Sequence, residues 1–108
     1  MANGNLLQFT KSVSGIELTE YLTFYIDQNV ILYNILRDCT DIEISVDITD
    51  SGIVVYTLNN ISEDIVEKII RYIQNNPFGM YFADSGFSYY ITCNKESVSS
   101  MTISFERQ

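Results

Sequence analysis

Ile42-Glu43-Ile44-Ser45-Val46-Asp47-Ile48 decides the fold class, because it alternates without a break. Side chains along a strand point to opposite faces in turn, so Ile42, Ile44, Val46 and Ile48 share one face while Glu43, Ser45 and Asp47 share the other. β-Branched residues on one side and polar ones on the other describe a strand buried on a single face. Thr49-Asp50-Ser51-Gly52 follows with turn chemistry, Gly supplying the backbone freedom, and residues 53–58 return as the antiparallel partner. The centre of the chain therefore reads as a hairpin.

Towards the N-terminus, residues 6–13 alternate Leu7, Phe9 and Val13 with Gln8, Thr10 and Ser12, a first strand in which Lys11 falls anomalously on the apolar side. Ser14-Gly15-Ile16-Glu17 fits the S-x-x-E capping box, whose hydroxyl and carboxylate satisfy free amides at a helix start, and opens a helix near Ile16. Residues 17–38 place Glu20, Thr23, Asp27, Asn34 and Asp38 nearly on one stripe at helical spacing, with apolar side chains around the rest. This predicts one helix over residues 17–38 with an apolar surface wide enough to be buried on several sides. A competing pattern sets Ile16, Leu18, Leu22, Phe24 and Ile26 against Glu17, Thr19, Tyr21, Thr23 and Tyr25. It would make residues 16–26 a strand and confine the helix to residues 28–37.

Towards the C-terminus, Ser62 can cap a second helix, with Glu63 and Asp64 complementing its positive end and Ile61 placed to staple onto Val66. Val66, Ile69, Ile70 and Ile73 form its buried face, Glu63, Glu67, Lys68 and Arg71 its solvated one, and Asn75-Asn76-Pro77 ends it. Residues 78–83 and 87–93 read as aromatic-rich strands joined through Asp84-Ser85-Gly86. Residues 94–100 read as a polar loop, and residues 101–106 as the last strand, with Met101, Ile103 and Phe105 inward. The expected fold is a single α+β domain over residues 1–108: one antiparallel sheet of about five strands with two helices packed on one face.

Composition narrows the chemistry. The 108 residues are 46% hydrophobic and 13% aromatic, values of a chain that buries a core. Histidine is absent, which removes Ser-His-Asp and Cys-His machinery and imidazole metal ligands. Cys39 and Cys93 stand 54 positions apart without ligand spacing, and are expected to be two reduced, partly buried thiols rather than a disulfide. Met1-Ala2-Asn3-Gly4-Asn5 lacks the pattern of a secretion signal, and no apolar run approaches the ~18 residues that span a bilayer. A cytoplasmic location is expected. The net charge of -8 disfavours direct binding to nucleic acid or to an anionic membrane.

That charge is unevenly placed. Between residues 17 and 50 there are eight acids and a single base, Arg37. Glu43 and Asp47 must share the polar face of their strand, about 13 Å apart, with Asp41 and Asp50 near its ends and Asp38 just before it. A row of carboxylates on a rigid strand can imitate a phosphate backbone or dock on a basic groove. The plainer alternative is that these acids only solvate the sheet. Among the aromatic residues, Tyr90 alternates onto the side of Ser88 and Thr92, which makes it a candidate exposed anchor, with Tyr81 a second. The candidate partner-binding set is thus Asp38, Asp41, Glu43, Asp47, Asp50, Tyr81 and Tyr90.

No metal or cofactor is expected: Asp47-Ile48-Thr49-Asp50-Ser51-Gly52 spaces its acids three apart, unlike a calcium loop. Neither Ser-x-x-Lys nor Gly-x-Ser-x-Gly occurs, and the five Gly residues build no phosphate cradle, so enzyme activity is not expected. The leading expectation is a small acidic protein-binding module that inhibits stoichiometrically by occluding the basic surface of a larger, nucleic-acid-handling protein. Fifteen Ile and nine Asn against two Ala indicate AT-rich codons. That bias suits a virus-encoded anti-defence protein, such as an anti-CRISPR, working in the host cytoplasm. The alternative is a homo-oligomeric structural or accessory protein, a homodimer for instance, assembled through an apolar helix or a sheet edge.

Overall fold

A computed structural model describes residues 9–22, 30–75, 78–80 and 88–107. Among these residues, six strands and three helices follow in the order β1 (Phe9–Val13), α1 (Gly15–Leu22), α2 (Val30–Leu36), β2 (Ile42–Ile48), β3 (Val54–Asn59), α3 (Glu63–Asn75), β4 (Phe78–Met80), β5 (Ser88–Ser97) and β6 (Ser100–Arg107). The strands form one antiparallel sheet in the order β1-β2-β3-β6-β5-β4. The expected α+β class holds. The strands expected over residues 6–13, 42–48, 53–58, 78–83, 87–93 and 101–106 each form at least in part, with residues 6–8 and 81–87 lying outside the described residues, and the described helices number three rather than two.

The β2–β3 hairpin forms as its alternation and turn residues predict. Ile42, Ile44 and Val46 are buried while Glu43 and Asp47 are exposed. The turn closes through Gly52 N donating to Thr49 O at 2.9 Å, with Gly52 at φ 88, a left-handed value that glycine adopts without strain. Thr49 Oγ1 accepts from Ile53 N at 3.1 Å and locks the return.

The capping box also forms. Glu17 N donates to Ser14 Oγ at 3.1 Å and Ser14 N to Glu17 Oε1 at 3.4 Å, so residues 15–22 are helical and the strand alternative for residues 16–26 fails over that stretch. The single helix over residues 17–38 is corrected as well. Gly15 N donates to Cys39 O at 3.0 Å, which lays the start of α1 beside the end of α2, and α2 stops at Leu36. Two helices folded against each other explain the broad apolar surface: Leu18, Leu22, Leu32 and Leu36 are all fully buried. In α3, Ser62 O accepts from Val66 N at 3.0 Å, and Val66, Ile69 and Ile73 turn inward.

Side chains from all three helices join Ile42, Ile44, Leu58, Ile91, Met101, Ile103 and Phe105 in one core on a single face of the sheet. Inside it the rings of Tyr56 and Phe105 meet edge to face, 5.7 Å between centroids at 88°. The polar loop expected over residues 94–100 is instead the end of β5, a tight turn at Val98 and Ser99, and the start of β6. What disguised it is Lys95. It takes a helix-facing position opposite buried Met101, where an apolar residue would have kept the alternation visible, and reaches Glu63 and Glu67 of α3 at 2.6 and 2.9 Å.

Candidate functional site

With the helices gathered on one face, the opposite face of the sheet carries no described helix. Pleating and register determine what it displays. One row crosses five strands as Thr10, Ser45, Thr57, Thr102 and Asn94, about 19 Å at the usual strand spacing. A second row holds Ser12, Glu43 and Asn59, and a third Asp47, Val55, Ser104 and Thr92. A fourth sets Glu106, Tyr90 and Phe78 in register, and beyond it Met80 stands opposite Ser88. The first three rows thus present hydroxyl and amide groups beside the two β2 carboxylates, with Val55 as their one apolar residue, and the apolar positions Phe78 and Met80 lie at the β4 end.

Carboxylates stand around this field. Glu43 and Asp47 come from β2 and Glu106 from the end of β6. Glu96, at the irregularity in β5, is drawn to the same face, where its Oε2 accepts from Thr102 Oγ1 at 3.2 Å. Asp47 Oδ1 accepts from Ile48 N at 2.9 Å, which fixes that carboxylate against its own strand. Thr10 and Ser45 share a hydroxyl hydrogen bond of 3.3 Å across β1 and β2.

The six cationic side chains stand elsewhere. Lys11 and Lys95 occupy helix-facing positions and pair with Glu17 and with Glu63 and Glu67. Arg37 follows α2, Lys68 and Arg71 belong to α3, and the register sets Arg107 opposite Tyr89, on the helix-facing side. Among the described residues, the open face therefore carries four carboxylates and no cation at any register position.

The sequence-derived candidates distribute accordingly. Glu43 and Asp47 share the open face, and Asp41 and Asp50 bracket β2 at its two ends, all exposed. Asp41 holds φ 57 and its carbonyl accepts from Asn60 Nδ2 at 2.8 Å, with Asn60 itself at φ 61. Both are residue types that tolerate the left-handed region. Asp38 does not join this row: it sits in the turn after α2 and pairs with Arg37 at 3.9 Å. Tyr90 is 39% exposed on the open face, three strands from β2. Tyr81 lies outside the described residues.

Glu96, Glu106 and the hydroxyl rows escaped the sequence reading, although alternation through residues 100–106 already groups Thr102, Ser104 and Glu106 on one side. Their nearness to Glu43 and Asp47 depends on β6 pairing with β3, which no local pattern encodes. Among the described residues, no group of three or more acids and thiols is placed to hold a metal ion, and no helix is long and apolar enough to cross a membrane. Comparison of the chain with protein-family models, curated proteins and solved structures returned no match.

Proposed function

We propose that the protein is an anionic docking module that covers a basic surface of a larger, nucleic-acid-handling protein and inhibits it by stoichiometric occlusion. The observation that carries this reading is charge segregation: among the described residues, four carboxylates and no cation on the sheet face away from the helices, with every Lys and Arg on the other side or beyond it. Carboxylates held on a β-ladder need little reorganisation to meet a cationic surface, and such a field steers encounter and suppresses wrong partners. The neutral hydroxyls and amides between them can satisfy the donors of a partner's polar groups, and Tyr90 supplies an amphipathic anchor at the far side. A virus-encoded anti-defence protein acting in the host cytoplasm is the setting that suits this reading.

The test is affinity capture from the native host with the wild type and a Glu43→Lys/Asp47→Lys variant. A basic, nucleic-acid-handling protein retained by the first and lost by the second supports the reading. Equal retention by both overturns it.

A second reading, self-assembly through α2, is favoured by Val30, Ile31 and Tyr33, which are 65%, 53% and 41% exposed on one short helix. Sedimentation at high micromolar concentration separates the two. A dimer dissociated by Ile31→Lys supports assembly through α2, whereas a strict monomer removes it.

A further inference from the structure

The outer edge of β1 carries a charge in an unusual place. Among the described residues β1 pairs with β2 alone, so its other side presents backbone amides and carbonyls to any incoming strand. Lys11 is the middle residue of this five-residue strand and takes a helix-facing position, opposite buried Ile44. Its side chain is held at the rim by α1: Nζ donates to the Tyr21 hydroxyl at 3.4 Å and lies 3.6 Å from Glu17 Oε2 and 5.9 Å from the centre of the Tyr21 ring. Glu17 is the capping-box carboxylate, so the element that starts the helix also fixes the lysine.

We infer that Lys11 is an edge guard that keeps β1 from adding the β1 strand of a second copy of this chain. The argument is one of register. Antiparallel pairing of two β1 strands with full overlap sets Phe9 against Val13, Thr10 against Ser12, and Lys11 against the partner's Lys11. Like charges directly opposite each other destabilise a strand pair. Both ammonium groups would also lose water on the side where a continued core would form. Sliding one strand by one residue would exchange its faces, and sliding by two would leave only three of the five residues paired. An inward-pointing charge on an edge is a recognised way to block sheet extension. This device is independent of the acidic face, because Lys11 points away from it.

The test compares wild type, Lys11→Val and Lys11→Arg as purified full-length chains, by sedimentation velocity and amide hydrogen exchange. Lys11→Val is expected to self-associate about tenfold more tightly than wild type, with new protection of the amides of residues 9–13, while Lys11→Arg matches wild type. Should circular dichroism show that Lys11→Val does not fold, Lys11→Thr carries the same expectation. A folded neutral variant with the wild-type sedimentation profile and unchanged exchange at residues 9–13 overturns the proposal.

Discussion

Gly15, the first residue of α1, lies against the backbone of Leu36, the last residue of α2: a Cβ placed at Gly15 would stand 1.7 Å from the Leu36 carbonyl oxygen. Cys39 closes the same junction by accepting from Gly15 N at 3.0 Å. The obstacle is backbone rather than a flexible side chain, so Gly15→Ala must push the two helices apart. The expected cost is about 2–3 kcal/mol, read as a lower urea midpoint with an unchanged slope. An unaltered midpoint would show that the helix pair is looser than this geometry requires.

The Ser14 hydroxyl accepts one of the two reciprocal hydrogen bonds at the start of α1, and the Ser14 backbone N–H donates the other. Ser14→Ala should lower stability by about 1 kcal/mol, a fall of roughly 5 °C in Tm for a domain of this size. Ser14→Asp should retain most of it, since a carboxylate accepts the same amide proton and suits the positive helix end. Thermal melts of the two variants check both statements.

Lys95 clasps the β5–β6 hairpin to α3. Its hydrogen bonds to Glu63 and then Glu67 raise its pKa above the ordinary lysine value. A raised pKa in the folded state means that the charged lysine favours folding. That contribution is fully present below the unfolded pKa of ~10.4 and is lost as pH rises through the folded value. Lys95→Met should therefore melt below wild type at neutral pH, and the gap should close in strongly alkaline buffer. A gap that stays constant with pH would assign the effect to packing of the lysine stem.

Burial pushes both thiols up, that of Cys39 with help from the Asp38 charge and that of Cys93 by burial alone. The thiolate is the reactive form. A disulfide reagent at neutral pH should accordingly modify the native chain more slowly than the urea-unfolded chain. Equal rates would contradict the half-buried placement of Cys39 and Cys93.

The β2–β3 hairpin and the capping box at Ser14 were legible because each is decided within a few residues, by alternation in one case and by spacing in the other. The helix pair was not. Leu18, Leu22, Leu32 and Leu36 bury on one another and on the sheet, so their periodicity resembles that of one helix with apolar residues all round. Lys11 and Lys95 broke strand alternation for a related reason: each fills a helix-facing position with a charge that a helix neutralises, and a strand pattern does not reveal a partner from another element. For the candidate site, Glu43 and Asp47 were readable from β2 alone and Tyr90 from β5. That they share one cation-free face with Glu96, Glu106 and the hydroxyl rows follows from the β3–β6 pairing.

Charge reversal on that face should spare the fold. Glu43 and Asp47 are exposed and face away from the core, so Glu43→Lys/Asp47→Lys should change stability by less than about 1 kcal/mol. The same change should slow association with a basic partner by about tenfold or more at low salt and remove most of its salt dependence. Stopped-flow mixing with the captured partner at two ionic strengths measures both.

The claim that the open face, rather than the overall charge of -8, does the docking is tested most directly by a nuclear magnetic resonance titration of the protein with an oligoarginine peptide. The expected result is a cluster of amide shifts at residues 43, 45, 47, 57, 102 and 104, absent from the Glu43→Lys/Asp47→Lys variant. Shifts centred on Glu63, Asp64 and Glu67 of α3, or spread evenly over every exposed acid, would contradict it.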